Sequence, residues 1–351
     1  MEKEKEELLK NIEVLTLYTG TYGRKRCTCS CIGCTQGNID KLSKKYQGNI
    51  EQIKTIIKYL PNLKTAYILG NPDISVDTAF CNKAAKEFIK NNIKVMFSTS
   101  GYNGLETIKE LTKEIEPNNI EYISFSIDTL NNKKLQYLKG NKKINIQDIE
   151  NAIKYCKEKR ITVKIQPTLW EINQNDYKNI INHYSNMGIK WFTFHAGSFE
   201  TINNETVLRH IKPTKWIKIV EEINEIAKEK DLKAKAPRIF IEEKEDKIYK
   251  KKQKMYCKQG GKDLQIWLCE NGIKATVCPI LTAVYPEYIF DLEKENIKLV
   301  DQCNEECIVC DKCIDKHLKN ESIGNKGREF LIYNKKIHNI CRYYADRIKY
   351  G

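Results

Sequence analysis

Four cysteines fall within eight residues, Cys27-Thr28-Cys29-Ser30-Cys31-Ile32-Gly33-Cys34, just after the apolar run Val14 to Tyr18 and the turn-forming Gly20 and Gly23. Thiols this closely spaced read as a metal loop. Cys27, Cys31 and Cys34 form Cys-x3-Cys-x2-Cys, which can bring three thiolates to one corner of a cubane. Iron-sulphur clusters are normally held by four cysteines, so such a loop leaves one iron open to a substrate. Cys29 stands outside that spacing as an extra thiol. Structural zinc also takes thiolates at short spacings, and on the loop alone both chemistries stand open.

What surrounds the loop narrows the fold. Val14 to Tyr18 reads as a buried strand that delivers the loop at its C-terminal end. A helix follows at Asn49 to Tyr59, with Ile50, Ile53, Ile56, Ile57 and Leu60 at helical spacing. The alternation then repeats: strand Thr65 to Leu69, helix Thr78 to Lys90, strand Lys94 to Ser98, helix Leu105 to Ile115, and strand Tyr122 to Ile127. Helix Ile146 to Glu158, strand Ile161 to Ile165, helix Tyr177 to Met187 and strand Lys190 to Phe194 complete it. Short, continuous apolar strands between helices mean βαβ units and a parallel sheet. The expected class is α/β, a partial (β/α)6 TIM-like barrel with a small cysteine-rich C-terminal domain. A flat doubly wound sheet stays open as the alternative, and both put chemistry at the C-terminal ends of strands.

The 14 cysteines suggest disulfides only if the chain is secreted, and the charged start at Met1 to Lys10 does not read as a signal peptide. No apolar run approaches the roughly 20 residues of a membrane span. A cytoplasmic protein with no membrane partner is expected. Cys81 and Cys156, alone inside helical patterns, are expected to be inert core residues. The formal charge of +14 raises nucleic acid as a partner, but thiolate ligands reduce it. The remaining lysines are mixed with glutamates, the pattern of a solvated surface, and nucleic acid is disfavoured.

The loop after a first strand resembles the radical SAM superfamily, whose open iron binds S-adenosylmethionine. In that family an aromatic usually precedes the last cysteine, where this chain has Gly33. The resemblance implies roles at the other strand ends. Gly70 and Asp73 stand where a Gly-Gly-Glu-type motif holds the methionine ammonium, with only the first glycine kept. Ser98 and Ser100 are placed near the methionine carboxylate, Ser126 at the ribose and Asp128 facing the cavity. Gln166 matches a polar amide at the ribose, Gly197 would let adenine lie against the backbone, and His195 is a candidate to face substrate. Each of these also has a plain structural reading as a turn, a cap or a strand-end polar residue.

Beyond Lys233 the pattern changes, giving expected domains at 1–232 and 233–351. Cys257, Cys269 and Cys278 come first, the last two bracketing the hairpin signal Asn271-Gly272, which is expected to bring them together. Cys303, Cys307, Cys310 and Cys313 form a dense loop, and Cys341 comes last. This tail resembles the SPASM extension of radical SAM enzymes, which implies two auxiliary 4Fe-4S clusters beside the front one. By order, Cys257, Cys269, Cys278 and Cys313 would hold the first and Cys303, Cys307, Cys310 and Cys341 the second, with an open iron possible. A zinc-ribbon-like tail is the alternative.

The resemblance implies reductive cleavage of S-adenosylmethionine to a 5′-deoxyadenosyl radical that takes hydrogen from a substrate. It further implies a peptide or protein side chain as that substrate, modified by crosslinking, oxidation or epimerisation, and an external donor such as flavodoxin or ferredoxin. A small-molecule substrate and a zinc protein binding nucleic acid are the rival readings.

Overall fold

The structure is a computed structural model. It describes residues 6, 9–20, 27–32, 47–70, 73–197, 211–236, 240–242, 262–276, 289–294 and 337–339. Cys34, Cys257, Cys278, Cys303, Cys307, Cys310, Cys313 and Cys341 lie outside the described residues.

The expected alternation forms. Strands β1 (Val14–Tyr18), β2 (Thr65–Gly70), β3 (Lys94–Thr99), β4 (Ile120–Phe125) and β5 (Val163–Ile165) alternate with helices. Those are α1 (Ile50–Tyr59), α2 (Thr78–Lys90), α3 (Gly104–Leu111), and the pair α4 (Asn132–Lys139) and α5 (Ile146–Glu158) between β4 and β5. Then come β6 (Thr168–Leu169), α6 (Tyr177–Asn186), β7 (Trp191–Thr193), β8 (His195–Ala196), α7 (Pro213–Glu229) and β9 (Lys233–Lys235). Caps set the helix starts: Asn49 and Gln52 close a reciprocal capping box on α1, and the Asn145 side chain accepts from the Asp148 amide on α5.

Strand order decides between the two architectures left open. The strands run β1-β2-β3-β4-β5-β7-β9, each parallel to its neighbour in that order. A doubly wound sheet reverses its order at a switch point; from β1 to β9 this one does not reverse, so that stretch is wound in one direction as a barrel is. The fold is α/β, a partial TIM-like barrel.

The sheet also continues past residue 232. Strand β9 forms one edge, and on the other side β11 (Asp263–Cys269) pairs parallel to β1, Val14 opposite Asp263 and Tyr18 opposite Trp267. β11 turns back into β12 (Gly272–Thr276), which pairs with β13 (Phe290–Asp291). The remaining strands β10 (Phe240–Glu242) and β14 (Ile337–Asn339) pair with each other. Cys269 is opposite Gly272, so the hairpin loop is Glu270-Asn271 rather than Asn271-Gly272. Thr276 is opposite Gln265, and β12 therefore leads away from Cys269 instead of back towards it.

The two faces of the sheet differ in chemistry because strand side chains alternate. Leu15, Leu17, Ile68, Phe97, Phe125 and Ile165 face the helices and are fully buried in one apolar core. Burial of each is worth about 1.5–3 kcal/mol. Cys81 and Cys156 lie in that core, as expected, with burial pushing both thiols up from their ordinary pKa. The inner face carries polar and aromatic residues, among them Tyr67, Ser124, Lys164 and Trp191.

Candidate functional site

Strand β1 ends at Tyr18, and buried Thr19 ties its end to its neighbours: its amide donates to the Gly70 carbonyl at 3.1 Å and its carbonyl accepts from Gly48 at 2.8 Å. The cysteine loop follows. A helix absent from the sequence-based expectations then holds that loop. At the end of α4, the Leu138 carbonyl accepts from the Ile32 amide at 3.0 Å, and the Asn141 side chain donates to the Thr28 carbonyl at 2.6 Å. Between them Gly140 caps the helix in the left-handed region at φ 55°, where any Cβ would run into the Ser30 carbonyl. From the β2 side, the Thr28 and Ser75 hydroxyls lie 3.0 Å apart.

Helix α4 also delivers a charge. Lys139 Nζ lies 2.7 Å from Asp128 Oδ2 and 2.7 Å from Ser126 Oγ, with the lysine and aspartate side chains 5% and 8% exposed. Burial works against the ammonium, but Asp128 and the thiols of Cys31 and Cys29 outweigh it and raise the Lys139 pKa above its ordinary value. Asp128 is held in turn by the Thr168 amide, which donates to Oδ1 at 2.7 Å. The Asp128 carboxylate is thus committed to a buried ion pair.

Cys27 and Cys31 are half-buried and Cys29 is buried. The Cys27 sulphur accepts from the Cys29 amide at 3.4 Å, and the Cys29 thiol reaches Ser100 Oγ at 3.5 Å. A hydrogen bond with Cys31 lowers the Cys29 pKa most; burial opposes the shift, and Ser100 and the Lys139 charge add to it. Among the described residues no three of His, Cys, Asp and Glu converge as a preformed metal site. The donor set nonetheless fits a thiolate-held group: two half-buried thiols and a third beside them, next to a buried cation that favours their charged form.

The β2 and β3 ends meet at Asp73. Its carboxylate caps the turn Ile74–Val76 through the Ser75 amide at 2.9 Å, accepts from the Ser100 amide at 2.6 Å and from Thr99 Oγ1 at 3.3 Å. Asp73 therefore ties two strand ends together. Gly70 precedes it at φ 73°, and a Cβ there would strike the backbone of Ile74. Ser98 faces inward and hydrogen-bonds the Tyr67 hydroxyl.

On the far side, the Gln166 backbone N–H donates to the Phe125 carbonyl at 2.8 Å, and the buried side-chain Oε1 has no hydrogen-bond partner among the described residues. His195 starts β8, pairing with Thr168, and its amide donates to the Pro167 carbonyl at 2.9 Å. Gly197 is packed against Trp170, whose indole occupies the space a Cβ would need. Cys269 is fully buried with Tyr18 and Trp267, whose rings stack at 5.3 Å, and its carbonyl accepts from Gln52 at 3.0 Å. The structure thus gathers Ser100, Ser126, Asp128 and Asp73 around the loop, with Gln166 across the barrel mouth. Lys139 was missed; the signal was there in Asn131 and Gly140, which bracket Leu135 and Leu138 as caps bracket a helix.

The description "Radical SAM superfamily" matches residues 24–184, from the cysteine loop into α6. This is a radical SAM domain. The fold is similar to that of SuiB of Streptococcus suis bound to S-adenosylmethionine, with a TM-score of 0.57 at 16% identity over 83% of this chain and 66% of that one. The chain therefore spans just under two thirds of SuiB. SuiB bound to its precursor peptide SuiA gives 0.56 at 14% identity, covering 83% and 65%. anSMEcpe with bound AdoMet and the Kp18Cys peptide gives 0.58 at 12% identity, covering 96% of each chain. At such identities the likeness is one of fold. A search of curated proteins finds no match. Among the described residues no helix is long and apolar enough to cross a membrane.

Proposed function

We propose that this chain is a radical SAM enzyme that modifies a peptide or protein side chain. The observation that carries the reading is the convergence, within the radical SAM domain, of the cysteine loop and the buried Lys139–Asp128 pair at the C-terminal ends of a singly wound barrel. Cys27, Cys31 and Cys34 are the ligands of a 4Fe-4S cluster, with S-adenosylmethionine beside it. Bound there, the two supply one-electron reduction of the sulfonium and, from it, hydrogen abstraction from substrate.

The residues of the chain do the rest. The end of α4 holds the loop, and Gly140 admits the close backbone contact that this needs. Lys139 supplies a fixed positive charge beside the thiolates and a donor for an anionic group of the cofactor, at no cost in reorganisation because Asp128 already holds it. Asp128 is on this account a positioning residue, not the acid or base. Ser100 and Ser126 add hydroxyls, and Gln166 Oε1 offers an acceptor for a ribose hydroxyl.

The peptide part rests on the fold shared with SuiB and anSMEcpe, whose structures contain a precursor peptide and a Kp18Cys peptide. The tail cysteines supply two auxiliary clusters in a SPASM-like arrangement, with Cys257, Cys269, Cys278, Cys303, Cys307, Cys310, Cys313 and Cys341 as the thiols available. A flavodoxin or ferredoxin supplies the electron. The test is anaerobic reconstitution followed by S-adenosylmethionine and dithionite: 5′-deoxyadenosine is the expected product. Zinc in place of iron would overturn the reading.

A further inference from the structure

Lys164 is buried on the inner face of β5, and the radical SAM chemistry above makes no use of it. Its ammonium lies 4.8 Å from the Tyr122 ring centre and 5.4 Å from that of Trp191. Those two rings meet edge to face at 4.8 Å, and Lys233 covers Trp191 at 5.6 Å. Among the described residues no carboxylate faces Lys164: Tyr122 comes from β4, Trp191 from β7, and the nearby charge on β9 is another cation, Lys235. Burial, with Lys235 adding to it, brings the Lys164 pKa down to about 8. A buried ammonium with another cation nearby and no carboxylate weakens a fold by more than two aromatic rings return. Lys164 is therefore not explained by stability.

A second observation lies one inner-face layer above it, on the neighbouring strand and level with Gln166. Thr193, 8% exposed on the inner face of β7, has a buried hydroxyl without a hydrogen-bond partner among the described residues. Register puts Lys164 level with Ser124 and Trp191. That is one inner-face layer below Ser126 and Gln166, about 7 Å deeper in the barrel at the usual rise per residue. The wall reaches solvent at edge strand β9, where Lys233 and Lys235 are exposed.

We propose that this wall binds a carboxylate of the substrate, the side chain of an aspartate or glutamate in the modified peptide. Lys164 pairs with it, the Thr193 hydroxyl donates to it, and Tyr122 and Trp191 pack against the methylenes that lead to it. Lys233 and Lys235 attract the acidic segment to the edge of the sheet. The inference rests on the peptide reading and gives it a specificity: an acidic residue near the one that reacts.

The test uses the anaerobic, iron-loaded full chain and two pooled pentapeptides, Ac-X-X-Asp-X-X-NH2 and the same pool with Asn, X being a mixture of uncharged residues. The Asp pool should bind at least about tenfold tighter, the size of one charge-assisted hydrogen bond. That preference should vanish in Lys164→Met, survive in Lys164→Arg, and shrink in Thr193→Val, with melting curves confirming that each variant is folded. Equal binding of the two pools, binding of neither, or an Asp preference that persists in Lys164→Met overturns the proposal. Succinate binding as tightly as the Asp pool assigns the wall to a small acid and overturns the peptide occupant. Failure of the enzymatic reading is separate, because it shows as absence of 5′-deoxyadenosine whatever the pools do.

Discussion

Among the described residues two lysines are buried, Lys139 and Lys164, and their surroundings are opposite. Lys139 meets Asp128 at 2.7 Å, with Ser126 as a second partner, and its pKa is raised. Lys164 meets two aromatic rings and another cation, and its pKa is lowered. The difference separates a charge built into the protein from one left for something else to complete. Lys139 belongs to the architecture that holds the cysteine loop; Lys164 is an incomplete pair.

Removing one partner of the built pair should do the most damage. Asp128→Asn leaves the Lys139 ammonium buried and uncompensated, and denaturant unfolding should show a loss of about 3–5 kcal/mol. A loss below about 1 kcal/mol would put the pair on a par with surface ion pairs.

The unpaired lysine should behave in the reverse way. Lys164→Met removes a buried charge and should stabilise the fold at neutral pH by something on the order of 3 kcal/mol, the work of shifting a lysine from its ordinary pKa to about 8. The sign follows from proton counting. Between about 8 and the unfolded lysine value the unfolded chain binds the extra proton, so the Lys164 contribution to stability rises with pH across that window and is at its worst below it. Stability curves of wild type and Lys164→Met should therefore converge as the pH approaches about 10. Parallel curves would mean that Lys164 has an acidic partner.

A smaller effect is expected at the clamp. Gly140→Ala forces a Cβ into the Ser30 carbonyl at a left-handed position, at a cost of about 1–3 kcal/mol. Iron retention should fall with it, since the same contact holds the loop; iron analysis of the reconstituted variant checks this.

How far the fold was legible depends on the range of the interactions that make it. The βα alternation was readable because Leu15, Ile68, Phe97, Phe125 and Ile165 sit in short apolar runs, a local pattern. Helix α4 escaped because Leu135 and Leu138 are its only fully apolar residues, with the half-polar Tyr137 exposed. Leu138 packs with Trp170 and Ile32 beside the loop instead of under the sheet. The pairing of β11 with β1 joins residues some 250 apart and has no local signature. That Ser126 and Asp128 lie near the cysteine loop was readable from strand-end position, and the loop itself from cysteine spacing. That Asp128 is spoken for was invisible, because its partner lies on the missed helix. Asp73 likewise gave itself away by position but not by its three donors, which come from two different strand ends.

The smallest expected effect separates the cysteines. Cys29→Ala should keep the iron of the front loop and Cys31→Ala should lose it, because Cys29 alone lies outside the three-ligand spacing. Equal loss in both would mean that the buried Cys29 thiol, hydrogen-bonded with Cys31, is itself a ligand.

The most direct test of the central claim is electron paramagnetic resonance of the dithionite-reduced, iron-loaded chain with and without S-adenosylmethionine. A site built from the cysteine loop and the charge of Lys139 predicts a reduced-cluster signal that shifts on adding the cofactor and disappears in Cys31→Ala. A spectrum indifferent to S-adenosylmethionine, or a front-cluster signal that survives Cys31→Ala, would contradict it.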